Sequence, residues 1–461
     1  MAGSAMQLAG KRVMVIGLGV SGRAAARVLA ARGAHLVMTD LRADLDRAGL
    51  PPGLVRLGAE DPAWLDGVDL VVASPGVPPA SVLMRAARAA RVRIIGELEL
   101  GSRLLGAPGT PSVPIAAITG TNGKSTVTVI LGEILRAAGH RTFVGGNLGT
   151  PLTDAAGAEF DAAVIEVSSY QLELIETFKP RVGVYLNLTD DHLDRYRDLA
   201  EYGRAKARLF ENQDADDWAI LNREDAHVWA LAPTVRSRVF SFGHARPARE
   251  IGARDAARRP CAIWCEDGGL VFADETRRGQ IGLDDFTLPG QHNLANAMAA
   301  AAAALALDVE PRVIERALGQ CKGLPHRLEL VGTRGGVKYI DDSKGTNVGA
   351  VVEALAAMRG PVILIAGGVD KGGDYGPLRT ALANKVRLVI LIGAARDQMR
   401  AALDGAAALE LAPAMAEAVK IAAGNARPGD TVLLSPACSS FDQFKDYAER
   451  GRVFQELVRA L

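Results

Sequence analysis

Short apolar runs with no internal alternation recur along this chain, and each gives way to a longer segment of helical spacing. In the first quarter they fall at residues 13–16, 35–39, 69–73 and 92–95. Runs of this length with no polar face predict strands covered on both sides, and their alternation with helices predicts a parallel α/β unit over residues 1–106. The stretch GAPGTPSVP, residues 106–114, then places three prolines and two glycines within nine positions. Neither a helix nor a central strand tolerates that density, so a linker is predicted over 107–114. A second unit, 115–324, has strands near IAAIT, AAVIEV and VGVYLNL, an irregular section of short alternations over 235–288, and the turn LPGQHNLANAMAA feeding an alanine-rich helix. A third, 325–461, carries VKYIDDS, VILIAGG, LVILIGA and TVLLSPA, each ahead of a helix-like segment, which predicts a doubly wound parallel sheet.

Composition narrows the partners. At 461 residues the chain exceeds one ordinary core, and roughly 150 residues per domain gives about three. Its 53 basic and 53 acidic residues cancel, with no basic block, which argues against nucleic acid or an anionic membrane surface as the main partner. The alanine-rich segment from Asn296 to Asp308 is too short to span a bilayer, so no membrane insertion is expected. No secretory signal is expected either, because the first residues lack a charged stretch followed by an apolar one. Cysteines 261, 265, 321 and 438 fit neither a zinc-finger spacing nor a disulfide framework, which predicts small buried thiols in a reducing cytoplasm.

Two glycine-rich turns carry the candidate chemistry. In VMVIGLGVSGRA, a strand runs into Gly17, Gly19 and Gly22 and then into a helix, and Asp40 closes the next strand. That arrangement lets backbone approach a phosphate and aims a helix N-terminus at it, which suits NAD, FAD or a UDP-sugar equally. The second turn, in IAAITGTNGKSTVTVI, passes from a strand through Gly120, Thr121, Asn122 and Gly123 to Lys124, Ser125 and Thr126 at a helix start. Successive N–H groups, a lysine and a hydroxyl are what a nucleotide triphosphate with Mg2+ requires. The spacing is unusual, since Ile118 stands where the common phosphate loop has its first glycine. Metal-binding groups are then expected at neighbouring strand ends, where Glu166 follows AAVI and Asn187, Asp190, Asp191, His192 and Asp194 follow VGVYL.

Taken in order, GTNGKS, EVSSYQLE, NLTDDHLDRY and GQHNLANAMAA resemble the Mur ligase family of ATP-dependent peptidoglycan enzymes. PHRLELV, IDDSKGTN and SPACSSFDQF in the last third are similar to the branch of that family whose acceptor is D-glutamate. The resemblance implies a Rossmann-like UDP-binding domain, a central P-loop ATPase-type domain and a Rossmann-like amino-acid-binding domain. It also implies that ATP activates the carboxylate of UDP-N-acetylmuramoyl-L-alanine as an acyl phosphate, which the amine of D-glutamate attacks with release of ADP and phosphate. A monomer is expected. So is closure of the third domain on the bound substrates, with hinges near 322–326.

The same resemblance assigns positions. Gly120 to Thr126, Asn293, Asn296, Arg327 and Asp342 would serve ATP, and Ser125, Glu166, His192 and a carbamylated Lys206 would hold two Mg2+ ions. Asn147 would lie by the reacting carboxylate. Gly19, Val20, Ser21, Asp40, Arg42, Ser74 and Gly76 would grip the UDP, with Arg42 over the uracil face, and Lys344, Thr346, Lys371, Ser440 and Phe441 would take D-glutamate. Tyr447 stands where a phenylalanine is frequent. The rivals are an amide ligase of the same superfamily with another acceptor, a NAD-dependent oxidoreductase and a non-catalytic nucleotide-binding scaffold. The oxidoreductase reading leaves the second glycine turn and the whole third unit unexplained.

Overall fold

A computed structural model describes residues 6–106, 112–192, 195–247, 261–274, 276–383 and 385–461. Most of the expected linker and Asp194 lie outside them. Three α/β domains follow one another, each built on its own sheet.

The first sheet is parallel throughout, in the order β3-β2-β1-β4-β5. Its strands are β1 (Arg12–Ile16), β2 (His35–Asp40), β3 (Leu54–Leu57), β4 (Leu70–Ala73) and β5 (Arg93–Gly96). Central β1 buries Val13, Met14, Val15 and Ile16 between two helical layers, as an unbroken apolar run should. β3 escapes the sequence pattern because LVRL lies at the edge and is only partly covered.

The middle sheet has nine strands in the order β14-β13-β12-β11-β10-β9-β6-β8-β7. They are β6 (Ile115–Thr119), β7 (Thr142–Gly146), β8 (Ala162–Glu166), β9 (Val182–Tyr185), β10 (Trp218–Asn222), β11 (Arg238–Phe242), β12 (Cys261–Glu266), β13 (Gly269–Ala273) and β14 (Arg278–Ile281). The section read as irregular thus extends the parallel sheet and then turns antiparallel from β12 onward. The helix Gln291–Ala306 is buried on nearly every side and packs on the helix Lys124–Ala137. Its alanines leave room for that close approach, so it is a core helix with no solvent face.

The third sheet runs β15-β16-β20-β17-β18-β19, made of β15 (Glu329–Arg334), β16 (Val337–Asp341), β17 (Val362–Gly367), β18 (Val386–Ile392), β19 (Ala408–Leu411) and β20 (Thr431–Leu434). It departs from the parallel expectation at one edge, where β15 pairs antiparallel to β16. A short turn between them suffices for that pairing.

The first two domains are joined by the helix Glu97–Leu104, which directs two buried carboxylates at the middle domain. Glu99 accepts hydrogen bonds from the N–H groups of Glu176, Thr177 and Phe178 and from Thr177 Oγ1, and pairs with Arg103 at 2.6 Å. Burial alone would raise its pKa, but the donors on Thr177, Glu176 and Arg103 outweigh burial and hold it below the ordinary value of 4.5. Glu97, with two bonds from Thr153 to one oxygen, is shifted upward by burial. Because the folded pKa of Glu99 is depressed, its stabilisation is present above about pH 4.5 and is lost as pH falls through the folded value. Glu99→Ala should cost about 3 kcal/mol at pH 7, read as a fall in urea midpoint, and progressively less as the pH falls below about 4.5.

Candidate active site

The strand β6 ends in a buried loop whose shape is fixed from behind. Gly123 caps the helix Lys124–Ala137 at φ 84°, and a Cβ there would lie 2.3 Å from Asn296 Oδ1. Only glycine fits that left-handed, crowded position. From the end of β9, Asn187 Oδ1 accepts the N–H groups of Thr121 at 3.1 Å and Asn122 at 2.8 Å, while its Nδ2 donates to Asn122 O. Lys124 Nζ folds over the loop and donates to the carbonyls of Gly120 at 3.0 Å and Thr121 at 2.8 Å. Burial lowers its pKa, against the pull of Glu166 and Asp191.

Beside the loop, Ser125 Oγ donates to Glu166 Oε2 at 2.5 Å and Asn147 Nδ2 to Glu166 Oε1 at 2.7 Å. Lys206 is 1% exposed, donates to Gly120 O at 2.8 Å and stands 4.4 Å above the Tyr202 ring. Burial, then repulsion from Lys124, pushes its pKa far below 10.5. His192 sits at φ 57° with Nδ1 2.9 Å from the Tyr170 hydroxyl and Nε2 3.7 Å from Asp191. Burial lowers its pKa too, which favours the neutral imidazole that a metal ion requires.

The third domain faces this loop directly. Asn347 Nδ2 donates to Asn122 Oδ1 at 3.0 Å, and Lys371 Nζ lies 3.6 Å from Asp191 and 3.5 Å from Thr346 Oγ1. Lys344 Nζ donates to the Tyr447 hydroxyl at 3.0 Å. A cavity of about 200 Å3 lies between, lined by residues 121–126, Asn147, Glu166, Asp191, His192, Arg327, Lys344, Thr346, Asn347, Lys371 and Tyr447. Several expected residues stand off its wall. Asp342 is fully buried behind Arg327, accepting from its guanidinium at 3.3 Å and from Ser435 Oγ at 2.7 Å. Asn296 backs Gly123 from outside the cavity, and Asn293, which donates to Pro289 O at 2.7 Å, lies off its wall as well. Ser440 is buried and Phe441 is 74% exposed, neither lining the cavity. Asn347, which does line it, was unassigned in the sequence although it directly follows Thr346.

A second cavity, about 440 Å3, opens on the first domain. Gly17, at φ 83°, and Gly22 form its turn, and a Cβ on Gly22 would come within 1.8 Å of Gly17 O. Gly19, Val20, Ser21, Asp40, Ser74 and Gly76 line it as expected. Arg42 does not. Its guanidinium grips Asp40 in a bidentate pair, both bonds 2.9 Å, and with the Leu18 N–H it holds that carboxyl at a pKa of about 2. The exposed side chain of Leu41 lines the cavity instead, together with Glu60. Asn147 borders both cavities, so one ligand held in the first can present its far end in the second.

Three family descriptions match the chain: the MurD-like N-terminal domain of Mur ligases over residues 11–96, the Mur ligase middle domain over 118–304, and the Mur ligase glutamate ligase domain over 326–438. The chain is 43% identical to the UDP-N-acetylmuramoylalanine--D-glutamate ligase of Geobacter metallireducens and 44% identical to that of Syntrophotalea carbinolica, with 99% of each chain covered in both cases. Among solved structures, a pseudomurein peptide ligase type C from Methanothermus fervidus shares its fold at a TM-score of 0.61 and 20% identity, over 98% of this chain and all of that one.

The bonds from Asn187 hold the loop backbone in shape before any anion arrives. Asn187→Ala should weaken adenine-nucleotide binding about tenfold by calorimetry, with an unchanged circular dichroism spectrum.

Proposed function

The chain belongs to the Mur ligase family, and from that premise we propose that it couples ATP hydrolysis to the addition of D-glutamate to UDP-N-acetylmuramoyl-L-alanine in peptidoglycan precursor synthesis. One observation carries the reading: the phosphate-type loop of the middle domain and two lysines of the third face one another across a single cavity, and Asn147 connects that cavity to the first domain's. No described helix is long and apolar enough to cross a membrane. The enzyme is taken to act as a cytoplasmic monomer.

Forming an amide from a carboxylate in water is uphill, so the carboxylate must first become an acyl phosphate. The loop N–H groups from Gly123 to Ser125 and the Lys124 ammonium bind and neutralise the triphosphate, while Arg327, held by Asp342, reaches the nucleotide from the third domain. Asn296 acts through the loop it backs, and Asn293 through the 3.4 Å bond it accepts from Asn296. UDP occupies the first domain's cavity against Gly19, Val20, Ser21, Ser74 and Gly76, which brings the alanyl carboxylate past Asn147. D-Glutamate brings two carboxylates, and Lys344, Lys371 and Thr346 supply donors for them. Ser440 and Phe441 are proposed as further contacts for D-glutamate, from beyond the present cavity wall. Its amine attacks the acyl carbon, a tetrahedral intermediate forms, and phosphate leaves. Closure of the third domain keeps water from the acyl phosphate.

The donor set fits Mg2+. Ser125 and Glu166 offer hard oxygen ligands 2.5 Å apart, and His192 is shifted toward its neutral, ligating form. Bound there, Mg2+ supplies charge neutralisation and polarisation of the phosphoryl group. Two ions are proposed, the second held by His192 and Lys206. The buried Lys206 amine, shifted toward its neutral form, can add CO2, releasing a proton and leaving a carbamate whose oxygens suit that ion.

Phosphate release should require ATP, D-glutamate and the UDP-sugar peptide together, and Lys124→Met should lower kcat at least a hundredfold while the fold persists. Release without D-glutamate would overturn the reading. With 13C-bicarbonate, the protein should show a carbamate carbon resonance that Lys206→Arg removes.

A further inference from the structure

Resting on that reading of the acceptor site, we infer that the Tyr447 hydroxyl is a second hydrogen-bond donor to one carboxylate of the acceptor amino acid, acting as a pair with the Lys344 ammonium. The roles follow from what each group is able to do. An ammonium only donates, so across their 3.0 Å contact the phenol oxygen must accept. The phenol proton is thereby left over, and it has no acceptor among the described residues. Both side chains line the cavity between the middle and third domains, so the unused donor stands at the surface where a ligand would lie. Two donors this close, one cationic and one neutral, match the two oxygens of a single carboxylate.

The pair is held rigidly. Tyr447 opens the helix Tyr447–Arg459, whose cap Asp446 accepts the Glu449 N–H at 2.8 Å. Its carbonyl accepts from Ser343 Oγ at 2.8 Å, and Ser343 directly precedes Lys344. Buried Arg450 donates to that same serine at 3.0 Å. The phenol ring packs edge-on against His326 with centroids 6.4 Å apart, and the Lys344 ammonium lies 4.3 Å from its centre. Lys371 stands apart from this pair, near Thr346 and Asp191, and remains for the second carboxylate.

The test is Tyr447→Phe, which keeps the ring and removes only the hydroxyl. Steady-state kinetics should show KM for D-glutamate raised about tenfold, the effect of losing one hydrogen bond to a charged group. kcat should stay within about twofold, and KM for ATP and for the UDP-sugar peptide should not move. An unchanged KM for D-glutamate would overturn the inference, and so would an equal rise in all three KM values, which would mean a structural role for the hydroxyl. Tyr447→Leu should raise KM for D-glutamate at least as far as Tyr447→Phe; a smaller rise would also count against the hydroxyl. Wild-type enzyme that releases no phosphate with D-glutamate would overturn the ligase reading itself, a separate result from wild-type activity with an indifferent Tyr447→Phe.

Discussion

The carbonyl oxygen of Gly120 accepts hydrogen bonds from two buried lysines, Lys124 at 3.0 Å and Lys206 at 2.8 Å, and the site is organised around that crowding. Two ammonium groups cannot share one acceptor in a dry setting without each lowering the other's pKa. Burial and mutual repulsion drive Lys206 furthest, because Tyr202 and the loop leave it almost no water. Glu166 and Asp191 offset the charge from opposite sides, one fixed by Ser125 and Asn147, the other reached by Lys371 and Asn347 from the third domain. The electrostatics therefore need the third domain's Lys371 and Asn347 in place against the middle domain's Asp191.

That requirement explains the division of labour among the domains. The first domain keeps its own acid occupied, since Asp40 is satisfied by Arg42 and by the Leu18 N–H, and what it presents to its cavity is a glycine turn, Ser74 and the apolar Leu41. Beyond Asp40, the charged side chain in that lining is Glu60, which accepts the Val82 N–H at 2.8 Å. The middle and third domains have the opposite character, with charged side chains on both walls of a small space. Asn147 is the shared border, and its bond to Glu166 ties the position of a ligand in one cavity to the groups of the other. Seams elsewhere are anchored away from the chemistry, as at Glu99, where a buried carboxylate gathers backbone donors of the middle domain.

Much of this was legible along the chain because it is local. Unbroken apolar runs announce strands buried on both faces, and β1, β6, β17 and β18 are of this kind. The glycine turn with Lys124 and Ser125 is contiguous, so its shape follows from neighbouring residues. Three edge strands were not legible: β3, β15 and β19 lack a continuous apolar signature because they are largely open to water, and the antiparallel pairing of β12 to β14 depends on partners across the sheet. Arg42 lies beside the carboxylate that captures it, yet the family resemblance assigned it to the ligand, because only the folded loop shows where its guanidinium turns.

The amino-acid order by itself determined the three-domain α/β plan, both glycine turns and the chemical types gathered near them, since each rests on periodicity and short-range geometry. Tertiary structure alone decided which of those residues face the cavity and which stand behind it. Asp342 and Asn296 stand behind the cavity because the groups they lie against, Arg327 and Gly123, come from elsewhere in the chain. Tyr447 met Lys344 only because the helix it opens is tied back to Ser343, more than a hundred positions earlier, a distance that no local pattern can encode.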